Sequence, residues 1–339
     1  MDVKASRFDV DTIMNEVINI KRDPVSDQYI KHCVDKGVVD QRLRLRDYIG
    51  NIGVRININR DQYKIPTGLY AFGKPDENSE VLVTGNYKLT FDYLRKYLKK
   101  SYHVLVIDTD GINVWCAAGK GRFGTAEVIR MLQAIELPVS HNRITLPQLS
   151  APGTQSVLIT KHTGKKVVFG PVRIQDMDEF FENGLSDEMR IVHFKLIDRM
   201  RVAPLELFVN LKYLIILWLI SLLPFMPNAI FTLTLSSIIL GTLVFPAVMP
   251  LLPFKMFYKN GLLLSMILFF TVPLTILNIG FILFGMLYTS YLAMTFTGST
   301  TFTSLTGVKM ELDEAIPRMF RWAGIAIIVT LVGIILEVI

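Results

Sequence analysis

Residues 81–108 read VLVTGN, then YKLTFDYLRKYLKKSY, then HVLVID. The first and last are apolar runs of strand length, and LTFDYLRKYLKK (89–100) between them carries helical spacing. A strand, a helix and a strand in that order form the repeating unit of a parallel sheet, whose strands are covered on both faces and so read as continuous apolar runs. Working outward, TAEVIRMLQAI (125–135) and DMDEFFENG (176–184) read as helices, and RITLP (143–147), SVLIT (156–160) and KVVFG (166–170) as strands. The predicted class is α/β, Rossmann-like with a largely parallel sheet. Upstream, VRININ and QYKIP flank Arg60-Asp61 in the manner of a hairpin, and residues 1–48, with Phe8, Ile13, Val17 and Ile20, read as an amphipathic arm packed on the domain.

The 339 residues are 51% hydrophobic and only 19% charged, too apolar for two soluble domains. Nearly all the charge lies before Leu205. The expected organisation is an arm over 1–48, a cytoplasmic α/β domain over 49–203 and an α-helical transmembrane domain over 204–339. Five apolar stretches of near-spanning length follow Pro204: Leu207 to Leu223, Ala229 to Pro250, Gly261 to Leu277, Ile279 to Phe296 and Phe320 to Ile339. Five spans from a cytoplasmic N-terminus place Lys255, Lys259, Lys309, Arg318 and Arg321 inside, as the positive-inside bias requires. The Thr- and Gly-rich segment 295–317 then faces the cytoplasm as a loop. The N-terminus has no apolar core of a secretory signal, so multi-pass insertion in the inner (cytoplasmic) membrane is expected. The net charge of +6 is interleaved with acids rather than blocked, which argues against nucleic acid.

Asp108 to Gly124 reads DTDGINVWCAAGKGRFG, between a strand and a helix, the end of an open α/β sheet where ligands bind. Gly119 to Gly124 spells G-x-G-x-x-G, but it stands too far beyond its strand, and no acid follows about 20 residues on to hold a ribose. A phosphate-binding P-loop fails too, because Gly121 stands where Ser or Thr belongs. Asn113 is a good N-cap, residues 114–118 form a helical turn or two, and Gly119 ends it. Cys116 is then near a helix start, which favours a thiolate ready to ligate a metal or attack; a buried, inert cysteine is the equally open alternative. Cys33 and Cys116 are the only cysteines, so this chain alone cannot hold a four-cysteine iron–sulfur cluster or zinc site.

The run Asn113, Val114, Trp115, Cys116, Ala117, Ala118, Gly119, Lys120 resembles the cap-helix signature N-(V/I)-W-C-A-(A/G)-G-K of the mercury-methylating membrane corrinoid proteins, the HgcA family. Their corrinoid domain is similar to that of the corrinoid iron–sulfur protein large subunit, and they too carry a soluble domain followed by membrane helices. The resemblance implies a corrinoid (cobalamin-type) cofactor whose cobalt takes Cys116 as axial ligand, with helix 113–119 over the ring. It implies a methyltransferase that moves a methyl group from cobalt to Hg(II), giving methylmercury, in anaerobic metabolism. It further implies an HgcB-like ferredoxin carrying iron–sulfur clusters as reductant and a methyl-donating methyltransferase upstream. The D-x-H-x-x-G pattern by which other corrinoid proteins ligate cobalt through histidine fits none of His32, His103, His141, His162 or His193. Two alternatives stay open: a corrinoid methyl carrier of one-carbon metabolism with another acceptor, and a membrane-tethered nucleotide-binding module in which Cys116 is structural.

Asn86 and Tyr87, Pro152-Gly153 and Gly170-Pro171 follow strands at the expected ligand edge, as cofactor contacts or as ordinary turns. Trp115 packs on the corrinoid or seals the helix to the sheet. Lys120 reaches a cofactor side chain or faces water.

Overall fold

The computed structural model describes residues 34–35, 37–221 and 229–338. The chain forms two compact units, one of Met1–Val54 with Asn59–Val192 and the other of Arg55–Ile58 with His193–Ile339. In order, the first contains β1 (Val34–Asp35), β2 (Val38–Val39), α1 (Leu45–Arg55), β3 (Gly68–Phe72), β4 (Val81–Gly85), α2 (Lys88–Tyr97), β5 (Tyr102–Ile107), α3 (Val114–Gly119), α4 (Thr125–Ala134), β6 (Arg143–Leu146), α5 (Ser156–Thr163), β7 (Lys166–Phe169) and α6 (Met177–Asn183).

The strands form one sheet in the order β1-β2-β3-β5-β4-β6-β7. β5, β4, β6 and β7 run parallel, with Val83 opposite Leu105 and Leu146 opposite Phe169, while β3 runs antiparallel to β5. Side chains alternate between the two faces. Leu82, Val104 and Val106 pack with Phe91 and Leu94 of α2 and Phe180 of α6, whereas Val81, Val83, Leu105 and Ile107 pack with Val114, Ala117, Val128 and Ile159 on the other side. From β4 the chain moves to β5 in one direction and then returns to β6 on β4's other flank. The order therefore reverses between β4 and β6, which makes that crevice the switch point of the sheet.

Two expectations fail here, and one strand was not foreseen. SVLIT (156–160) is the helix α5, because β6 and β7 are parallel and need a crossover between them. It stops at Gly164, whose φ of +69° is a helix-ending left-handed conformation. The hairpin around Arg60-Asp61 is absent: α1 continues to Arg55, Asn57 and Asn59 turn the chain with positive φ, and a single bridge between Lys64 and Tyr87 replaces strand pairing. GLYAF forms β3 although its sequence gave no sign of it. Of the expected arm, residues 1–33 lie outside the described residues, and α1 crosses its predicted end at residue 48.

The second unit contains α7 (Leu196–Ser221), α8 (Ala229–Ile239), α9 (Phe245–Val248), α10 (Phe257–Ser265), α11 (Ile276–Thr295) and α12 (Leu305–Val338). Among the described residues three helical runs are long and apolar enough to cross a membrane: Ala229–Leu251, Ile276–Ser299 and Thr306–Leu336. The five-span expectation is corrected accordingly. Gly261 to Leu277 is not a span but the end of a short apolar run, Phe257–Phe270, broken before Thr275 caps α11 by accepting from the Asn278 N–H. Pro273 in this break cannot donate to a helix. The first expected span lies in α7 as far as Ser221 and then leaves the described residues. Residues 305–317 are not loop either. They are the opening turns of α12, a stretch rich in helix formers that carries Pro317 internally.

Helix crossings in this unit are close because small residues stand at them. A Cβ on Gly333 of α12 would come 2.5 Å from Leu277 Cα, and one on Gly280 of α11 would come 2.8 Å from Thr330 Cα. Ser237 Oγ donates to the Gly285 carbonyl at 3.0 Å and Tyr288 Oη to Asn210 Oδ1 at 2.7 Å, adding polar ties between helices.

Candidate functional site

One side chain gathers most of the hydrogen bonds of the loop after β5. Asn86, fully buried at the end of β4, accepts at Oδ1 from the Thr109 N–H (3.0 Å), the Thr109 hydroxyl (3.0 Å) and the Gly111 N–H (2.9 Å). Its Nδ2 donates to Asp108 Oδ1 at 2.9 Å, and that oxygen also receives the Asp110 N–H at 3.0 Å. Glu127 of α4 accepts from the Asp108 N–H at 3.1 Å. Asp110 and Gly111 both take positive φ, +55° and +68°, so the chain turns sharply and delivers Asn113 to the start of α3.

Asn113 caps α3, its Oδ1 accepting from the Cys116 N–H at 2.9 Å. Val114, Ala117 and Ala118 are buried in the core beneath the helix, leaving Asn113, Trp115 and Cys116 half-buried and Gly119 and Lys120 exposed. Three anchors on one face thus fix which side of α3 carries the thiol. Since the helix has only six residues and the Cys116 N–H is already taken by Asn113, its placement of the thiol is a better-founded feature than any dipole.

Beside α3 lies a cavity of about 330 Å³ at the switch point, lined by Val83 and Thr84 of β4, Thr145 and Leu146 of β6, Thr90 and Tyr93 of α2, and Asn113, Val114 and Trp115. Its walls are largely apolar, with a few polar groups converging on it. Thr145 is buried there, and its Oγ1 has no hydrogen-bond partner among the described residues. An orphaned buried hydroxyl costs free energy unless a ligand or water satisfies it.

The predicted residues divide by role. Asn113, Val114 and Trp115 line the cavity, and Cys116 follows them on the same short helix. Asn86 does not line it; it builds the loop that carries α3. Tyr87 is buried with Val54 and Tyr63. Gly153 packs on α3 itself: a Cβ there would stand 2.6 Å from the Phe123 carbonyl oxygen and 2.9 Å from that of Ala118. At Gly170 a Cβ would meet Thr145 Cγ2 at 2.9 Å, so this glycine closes the wall from outside, while neighbouring Pro171 lines the cavity. Lys120 ends α3, its N–H donating to the Cys116 and Ala117 carbonyls. Thr90, Tyr93 and Thr145 were missed by sequence reasoning. The available signal was their position near the C-terminal ends of strands flanking a switch point, which needs the strand order and not only the strands. Cys33 lies outside the described residues. Of the histidines, His103 and His141 bond the Asp76 and Ser79 carbonyls, each at 3.1 Å, as packing residues do.

Residues 50–180 match a family model described as CO dehydrogenase/acetyl-CoA synthase delta subunit. The chain is 33% identical over 128 residues to the acetyl-CoA decarbonylase/synthase complex subunit gamma of Methanopyrus kandleri, covering 36% of this chain and 27% of that protein. It is 30% identical over 187 residues to the subunit of the same name in Methanocaldococcus jannaschii, 54% of this chain and 36% of that one. With the corrinoid/iron-sulfur protein large subunit of Moorella thermoacetica it shares 28% identity over 114 residues, 32% of this chain and 25% of the relative. The chain thus spans only about a quarter to a third of the length of these relatives. The family match covers β3 to β7, with α3 and the switch-point cavity inside it, and ends before the apolar helices begin; over that region the chain is similar to the subunits of a corrinoid-protein family.

Proposed function

We propose that this protein is a membrane-anchored corrinoid methyltransferase that delivers a methyl group to Hg(II), with Cys116 as the axial ligand of the corrinoid cobalt. The observation that carries the reading is Cys116 itself, half-buried on a capped and anchored helix beside the switch-point cavity, in a region similar to corrinoid proteins. The residues fit such a group. A soft sulfur donor is available at Cys116, and the buried, unpartnered Thr145 hydroxyl belongs to a cavity that Asn113 and Trp115 also line. When bound, a methylated corrinoid would supply a methyl group held on cobalt, which a strongly donating thiolate favours releasing as a carbanion equivalent to a soft metal ion.

The chain's own residues do the rest. Asn86 sets the loop, Asn113 fixes the helix start, and Val114, Ala117 and Ala118 hold the thiol at one position without consuming it in a hydrogen bond that any described residue supplies. Preorganisation of this kind spares the ligand a reorganisation cost during transfer. An HgcB-like ferredoxin would return electrons, a methyl-donating methyltransferase would reload the carrier, and the first unit would face the cytoplasm from a multi-pass anchor in the inner membrane. A second reading, a methyl carrier of one-carbon metabolism with another acceptor, draws support from the acetyl-CoA decarbonylase/synthase subunits among the relatives. Anaerobic purification followed by visible spectroscopy and a methylmercury assay tests both. A corrinoid spectrum with methylmercury supports the first, a corrinoid spectrum without it supports the second, and no corrinoid binding rejects both.

A further inference from the structure

Helix α1 is amphipathic in the inverted sense. It buries Asp47 and Val54, seven residues apart on one face, and turns Leu45, Tyr48, Ile49 and Ile52 to solvent at 76%, 47%, 62% and 60% exposure. Those four positions follow i, i+3, i+4, i+7, a continuous apolar stripe. The helix cannot roll to hide it, because Asp47 is locked underneath. Its Oδ1 receives Lys88 Nζ at 3.1 Å and its Oδ2 receives Arg95 Nη1 at 3.1 Å, all three side chains essentially without exposure. Arg95 also donates to the carbonyls of Asp40 and Arg42, at 2.7 and 2.8 Å, fixing the segment that leads into α1.

The sequence there is QRLRLR (41–46), in which Arg42, Arg44 and Arg46 are exposed, Arg44 also reaching the exposed side of Asp40 at 3.2 Å. An apolar stripe with arginines along its margin fits an interface whose interior is hydrocarbon and whose surface is anionic. The same chain carries three helical runs long and apolar enough to cross a bilayer, so α1 belongs to a chain with its own means of reaching lipid.

We propose that α1 is an interfacial helix, seated on the surface of an anionic bilayer with Leu45, Tyr48, Ile49 and Ile52 in the headgroup–acyl boundary and Arg42, Arg44 and Arg46 at the lipid phosphates.

The test uses the full chain reconstituted in bilayers with brominated acyl chains, carrying Tyr48→Trp as reporter and read against the same chain without it, since three native tryptophans contribute a background. With phosphatidylglycerol present, the reporter emission should be blue-shifted and quenched by bromine. In phosphatidylcholine alone it should be weakly quenched. Arg42→Gln and Arg46→Gln should each lower the ratio of seated to unseated helix about fivefold, and Ile49→Ser with Ile52→Ser, both at exposed positions, should abolish quenching while circular dichroism stays unchanged. Equal quenching in both lipids overturns the anionic assignment. A red-shifted, unquenched reporter in both means the helix faces water and overturns the proposal. A blue-shifted reporter that bromine does not quench means protein, a partner or a second copy, covers the face, and overturns it too.

Discussion

Asn86 illustrates how a residue can matter to a site it never lines. Its one carbonyl oxygen satisfies three donors of the loop before α3, so removing it leaves buried donors without partners. Asn86→Ala should lower stability by about 3 kcal/mol, the scale of stranding two or three such groups with partial relief by water. Asn86→Asp keeps the acceptor but sets a second carboxylate against Asp108, and thermal unfolding monitored by circular dichroism should place it below wild type as well. Neither variant removes a ligand, so any change in a bound corrinoid's visible spectrum would report movement of α3. Cys116 is the opposite case. Cys116→Ala should change the cobalt spectrum and abolish methylmercury formation with little loss of stability, because the thiol is half-buried and holds no part of the core. Cys116→His is the sharper probe: it retains a ligand but loses the soft donor, so corrinoid binding should survive where methyl transfer does not. Full methylmercury production by Cys116→Ala would rule out the thiolate assignment.

Between elements, a buried quartet of Asp47, Lys88, Asp92 and Arg95 joins the start of α1 to α2 in the first unit. A buried pair broken on one side leaves an uncompensated charge, and Asp47→Ala should therefore cost roughly 3–5 kcal/mol in chemical denaturation. None of this was legible in the sequence, where Lys88, Asp92 and Arg95 look like the solvent face of an ordinary amphipathic helix. The elements that were legible, β4, β5, β6, β7, α2, α3, α4 and α6, are those whose local pattern and tertiary environment agree. Those misread are decided at longer range: SVLIT has strand composition, yet it lies between two parallel strands and must be the crossover. β3 pairs antiparallel beside β5 with a short apolar segment that carries no periodic signal of its own. The α3 motif was readable to the residue because capping and its resemblance coincide there, whereas Thr90, Tyr93 and Thr145 become site residues only once β4 and β6 are known to be neighbours. Among the apolar helices, Gly333→Leu should separate α11 from α12, since a side chain there meets Leu277 backbone rather than a movable side chain. Loss of the full-length protein's cooperative melt in detergent, with Gly324→Leu at a position facing open space as control, checks this.

At the scale of the whole molecule the chemistry proposed for α3 cannot close by itself, and this follows from counting ligands. If the methyl group leaves cobalt with its bonding electron pair, the metal is left two electrons more oxidised than the state that accepts a new methyl cation. Something must supply those electrons. The chain has two cysteines, Cys33 and Cys116, too few for a four-cysteine cluster even before one is assigned to cobalt, and no group of three or more metal-ligating side chains occurs among the described residues. On the proposed reading, then, the reductant acts in trans. Incubated with Hg(II) but no reductant, the purified, methyl-loaded protein should form at most one methylmercury per bound corrinoid and then stop. An added iron–sulfur ferredoxin, with a low-potential electron source and a methyl donor, should restore repeated turnover, whereas the methyl donor alone should not. The quantity to measure is methylmercury per corrinoid across these conditions. Repeated turnover with a methyl donor and no electron source would show that the methyl group departs without its electron pair, and the role given to the Cys116 thiolate would have to be abandoned.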